Sequence, residues 1–252
     1  MKKLIILALC AILSSCAAIN MSHYQDGRTQ GEGKGHVKVG VGSAVSYLTD
    51  TTQITPRKFK VKTYRGPSLV LASLAVQAGI NDRWDAGGEF FTTLGSTGFK
   101  VFTKYAFLDS RSKWAIAAMP LLGFAKPWFG DEEDDEYTYE DDKIAFSVST
   151  FIMEFIMPIS YHPSRDMAII LNPKVYYHVN FLNKIKGKST SFEREGSGNF
   201  YSPGISLGFK YMAFHLEGTA IYMGQKNWVP FVGVSFSGIT FSKIKEKENP
   251  QN

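Results

Sequence analysis

Cysteine is nearly missing from this chain: there are two among 252 residues, Cys10 and Cys16, both close to the start. If the leader is removed and Cys16 is modified, no thiol remains for a disulfide, a metal site or a nucleophile. Beyond the leader there is no apolar run of eighteen residues, so a membrane-spanning helix is not expected. The net charge of +5 is not gathered into a cluster that matches a nucleic-acid-binding fold. The acidic stretch Asp131–Asp142 lacks the alternating ligand spacing and turn glycine of an EF-hand loop, so no metal site is assigned and no cofactor is expected. Val39-Gly40-Val41-Gly42 has no following helix and is not a nucleotide loop.

What is present begins with the leader. Lys2 and Lys3 form a positive start, and Leu4 to Leu13 an apolar stretch about ten residues long, too short to span a bilayer. Leu13-Ser14-Ser15-Cys16 follows. This order resembles a bacterial lipoprotein signal, in which two small residues precede the cysteine that is lipidated and becomes the first mature residue. The resemblance implies cleavage after residue 15 and acylation of Cys16. Ala17 follows that cysteine, not the aspartate that often retains lipoproteins at the inner membrane, which favours the outer membrane. Several buried acyl chains, at ~0.8 kcal/mol per methylene, would make a lasting anchor.

Residues 16–36 are polar and contain several glycines, and are expected to be a lipidated tether. Aromatics make up 14% of the chain and there are 23 glycines, which suits strands and tight turns. From residue 37 to 242, ten segments alternate apolar and polar residues: 37–48, 68–79, 84–93, 99–108, 113–124, 144–161, 167–180, 201–211, 213–223 and 228–241. In the sixth the alternation changes phase between Ser149 and Glu154, which predicts a bulge near Thr150. The links 80–83, 109–112, 162–166 and the one near 212 are short, whereas 49–67, 125–143 and 181–200 are long and all fall on one end of an up-and-down arrangement.

Short turns at one end and long loops at the other resemble outer-membrane barrels. So do two aromatic belts, with Trp84, Trp114, Tyr161 and Tyr211 at one end and Tyr47, Phe124, Trp128, Tyr177, Tyr201, Tyr222 and Trp228 at the other. Phe241 resembles the aromatic end of a terminal barrel strand, although the polar tail 243–252 follows it. The expected fold is therefore all-β: an antiparallel up-and-down transmembrane β-barrel of about ten strands. An even strand number puts both barrel ends on the short-turn, periplasmic side, where the lipid on Cys16 would enter the inner leaflet. A soluble lipid-tethered barrel is the alternative, with its apolar face turned inward.

In the membrane reading, the mid-strand polar residues Asp85, Glu89, Lys100, Lys104, Glu154, Lys174, His178, Lys210, His215 and Glu217 line the lumen. Four acids against four lysines favour mutual pairing over an ion-selective ring. His178 and His215 fall toward opposite ends, so they are not expected to share a catalytic site. A basic patch of Arg57, Lys58, Lys60, Lys62, Lys184, Lys186 and Lys188 is expected in the outer loops. It could meet the acidic stretch or the phosphates of lipopolysaccharide. The expected role is structural, or that of a narrow channel for small polar solutes, in contact with outer-membrane lipid. The alternatives are a periplasmic barrel binding an apolar ligand and a lipid-modifying or proteolytic barrel enzyme.

Overall fold

The computed structural model describes residues 17–55, 58–93, 95–109, 112–128, 145–186, 191–195, 199–223 and 227–242. Cys16, the leader, Arg57, Lys188, the acidic stretch 131–142 and the tail 243–252 lie outside them. Thirteen strands follow in chain order: β1 (Ala17–Asn20), β2 (Lys34–Thr55), β3 (Lys58–Gly79), β4 (Trp84–Thr93), β5 (Ser96–Ala106), β6 (Trp114–Pro127), β7 (Ala145–Ile156), β8 (Ile159–Tyr161), β9 (Met167–Lys186), β10 (Ser191–Glu195), β11 (Asn199–Tyr211), β12 (Phe214–Tyr222) and β13 (Trp228–Ser242).

Ten of these make a closed antiparallel barrel wall, with β8 continuing β7 after a break. Each wall strand pairs with its neighbours, and β13 returns to β2, so Phe236 faces Val39 and Phe241 faces Gly35. Closure pairs both edges of the sheet, which removes the exposed edge an open sheet would present. The ten segments expected from the alternation all correspond to wall strands.

Alternation decides which side chains enter the lumen. On β4, Asp85, Glu89 and Phe91 are buried while Trp84 and Phe90 are exposed. On β5, Lys100, Phe102 and Lys104 are buried while Phe99 and Val101 are exposed. The outer face is apolar around the wall: Leu207 is 68% exposed and Phe90 54%. Ring pairs mark both rims, with Trp84–Tyr105 and Trp114–Tyr161 at the short-turn end and Tyr222–Trp228 at the other.

Four features depart from expectation. First, β7 has no bulge near Thr150; its ladder to β9 is continuous from Phe146 to Ile156, and the register shift lies at Ala145/Phe146. The strand breaks instead at Met157-Pro158, where proline has no N–H for the ladder. Second, 49–67 is not a loop. β2 and β3 run on as one long hairpin, paired out to Thr55 and Lys58. Third, β10 pairs in parallel with β3, placing Glu193 and Glu195 at register positions beside Lys60 and Lys62.

Fourth, the expected tether is inside the barrel. From Ile19 to Asp26 every residue is buried. β1 pairs with β2, with Ala17 opposite Tyr47 and Asn20 opposite Ala44. From there the segment descends to the short-turn end, where Gly33 N–H donates to Gly79 O and Thr29 Oγ1 to Asp82 O. Gly31 (φ 81°) and Gly33 (φ 68°) turn it back into β2, in a backbone region that favours glycine. The described chain thus starts at the level of Tyr47, toward the long-link end, and not beside the short turns.

Candidate functional site: a strapped lumen

Residues 17–33, called the strap below, meet the inner wall along the whole short-turn half of the lumen. Glu154 on β7 is the hub. Its Oε2 accepts from His23 (2.5 Å) and from Lys100 Nζ (3.1 Å), and its Oε1 lies 3.1 Å from His178 Nε2. Lys174 pairs with Glu217 across β9 and β12. Lys104 pairs with Asp85 at 3.4 Å, and Lys210 with Asp26 of the strap at 2.8 Å. Glu89 accepts from Asn20 Nδ2 at 2.5 Å. Lys100, Lys104, Glu154, Lys174 and Glu217 are each at most 5% exposed, so these charges depend on one another for solvation.

All ten residues expected to line the lumen face it. They fall into more than one group. His178 belongs with Glu154 and with Tyr47, whose Oη is 2.8 Å from His178 Nδ1. His215 is edge-on to Tyr24, with ring centroids 5.9 Å apart. The two histidines share no common partner among these contacts. At the short-turn end, burial pushes the His162 imidazole below its ordinary range against the pull of Asp26, and its Nε2 sits 2.9 Å from Ser160 Oγ.

Further lumen residues come from outside that set. Lys38 on β2 donates to the carbonyl oxygen of Tyr24 at 2.6 Å and, among the described residues, has no carboxylate at ion-pair distance. It shares the parity of Gly40 and Gly42, and that parity was the available signal. Asn20, His23 and Asp26 lie in a stretch with no alternation to mark them. With Lys38 and Asp26 added, acids and lysines still match one for one.

The long-link half of the lumen holds an apolar cluster. Ile19 and Met21 of the strap pack with Val45, Tyr47, Phe91, Ile152, Phe200 and Phe231. Tyr47 is therefore not in the outer aromatic belt: it is fully buried and meets His178 and Phe200. The cause is a split in the wall. Above Gly42, β2 leaves β13 and takes β1 as its partner on that edge. At the fork, Ser43 Oγ accepts from Val232 N–H and donates to Val232 O, both at 3.2 Å, standing in for the missing backbone ladder. An apolar hollow of about 330 Å³ lies on the outer face near this fork, lined by Val39, Val41, Leu74, Phe90, Val234 and Phe236.

The spacing G-x-S-x-G occurs at Gly204–Gly208. It lies mid-strand in β11, where Ser206 Oγ meets Thr219 Oγ1 at 2.8 Å. A nucleophile elbow requires a strand-to-helix turn, so this match carries no catalytic reading. Among the described residues no three His, Cys, Asp or Glu side chains are grouped to hold a metal ion. Lys58, Lys60, Lys62, Lys184 and Lys186 lie on the far parts of β3 and β9, beyond the lumen charges. No family model matches the chain, and no curated protein is significantly similar to it.

Proposed function

We propose that the protein is an outer-membrane β-barrel, lipid-anchored at Cys16, with a structural role and a lumen kept closed by its own strap. One observation carries this reading: the outer face of the closed wall is apolar, and the mid-strand charges are inside. In water that arrangement would be inverted; in lipid it satisfies every paired backbone group and hides each ionised one. A narrow passage for small polar solutes would then require the strap to leave. Outer-membrane lipid would contact the wall, and lipopolysaccharide phosphates the basic ends of β3 and β9. Fractionation and heat-modifiable gel migration test the proposal. Recovery of the protein intact in water after removal of its acyl chains would overturn it.

A further inference from the structure

The strap is held by its backbone as well as by its side chains. Lys100 donates to Asn20 O (2.6 Å), Lys38 to Tyr24 O (2.6 Å) and Lys104 to Arg28 O (2.5 Å). Lys174 donates to Met21 O and Asn172 Nδ2 to Gln25 O, both at 3.4 Å. In the other direction, Tyr24 N–H donates to Glu217 Oε2 (2.9 Å), Gln30 N–H to Asp85 Oδ1 (3.0 Å) and Gly27 N–H to Ser160 Oγ (3.1 Å). The wall thus offers ammonium groups to carbonyls and carboxylates to amides along one extended chain.

The wall is also cut to leave room for the strap. A Cβ on Gly233 would come within 2.2 Å of Ser22 Oγ, and one on Gly40 within 2.8 Å of the Tyr24 ring. The strap's own side chains fit less completely. Ser22 Oγ and Gln25 Oε1, together with Asn172 Oδ1, His215 Nε2 and Ser235 Oγ on the wall, are buried without a hydrogen-bond partner among the described residues. A site optimised for this one sequence would satisfy them.

We propose that the lumen is a binding site for an extended peptide, which residues 17–30 occupy in cis and which a second, amide-rich extended segment can occupy in trans. Main-chain hydrogen bonds supply affinity, and Glu89, Glu154 and Lys210 set register through positions 20, 23 and 26. The proposal goes beyond the closed structural barrel. It rests on the barrel fold and not on its membrane setting, so either can fail without the other.

The test starts from the folded full chain carrying Cys16→Ala, with a protease site replacing exposed Glu32 in the short-turn bend. After cleavage in detergent, the strap is a non-covalent ligand. A fluorescein-labelled peptide of residues 17–30 is the probe, followed by anisotropy. The nicked barrel should keep its strap through gel filtration and exchange it for the probe over time. A probe with alanine at positions 22 and 25, whose side-chain oxygens have no partner among the described residues, should bind within about tenfold of the native one, a difference of roughly 1.4 kcal/mol. Lys100→Met should weaken binding by more than tenfold. Because that change strands Glu154, Lys38→Met is the companion variant, and it strands no carboxylate. The proposal is overturned if the strap is lost on cleavage without rebinding, if it never exchanges, if the alanine probe does not bind, or if neither lysine variant matters. Equal binding of the probe to uncut protein would place it elsewhere and also overturn the proposal.

Discussion

At the scale of single residues, Glu154 should matter most. It accepts from Lys100, His23 and His178 with almost no access to water. Glu154→Ala leaves an uncompensated buried ammonium, a change that costs about 3–5 kcal/mol. The expected outcome is a lower midpoint for conversion between the compact and heat-modified gel forms. Tyr47→Phe is milder: it removes only the hydroxyl contact to His178 and should cost roughly 1 kcal/mol in the same assay. Gly233→Ala separates the strap from the wall. The added carbon would collide with Ser22 and Tyr24. The barrel should still migrate as a compact form, while limited proteolysis cuts within residues 17–33 faster than in the wild type.

At the scale of elements, the fork between β2, β13 and β1 has its own chemistry. Val232 turns both backbone groups toward Ser43, so on the same edge the next position of like orientation is Pro230, which has no N–H to offer β2. The wall cannot zip fully there, and β2 is left free to bend inward and accept β1. Ser43→Ala removes the hydroxyl that bridges the fork. Hydrogen exchange at the Val232 amide should accelerate, with little change at Val234, which lies within the paired ladder to Val41. The wall strands were legible in the sequence because the two faces of each meet chemically different surroundings, so period-two alternation is imposed residue by residue. The strap was not legible for the converse reason. In its lower part it is surrounded by lysines, acids and amides on all sides, so it carries polar residues throughout and looks like a solvated linker. Tyr47 was misplaced because its strand keeps alternating after the wall has ended. Lys38 lies within the segment 37–48 and shares the parity of Gly40 and Gly42, so its lumen-facing position was legible there.

At the scale of the whole molecule, the proposed setting predicts a barrel that does not need its lipid to stay embedded. Cys16→Ala, exported with an ordinary signal, should still fractionate with the outer membrane; its appearance as a soluble periplasmic protein would show that the anchor alone held it. Wild-type protein in planar bilayers should be electrically silent, and the variant with a protease site in place of Glu32, once cut and washed free of its strap, should give small steady conductance. The strap also fixes an order of events during assembly. It precedes the first wall strand, yet ends up enclosed by a ring that only the pairing of the last strand with the first completes. Closing that ring around an empty lumen would desolvate lysines and carboxylates before most of their partners arrived, whereas closing it around the strap does not. The seam between β2 and β13 should therefore form last, with the earliest part of the chain acting as the mandrel on which the rest is wound.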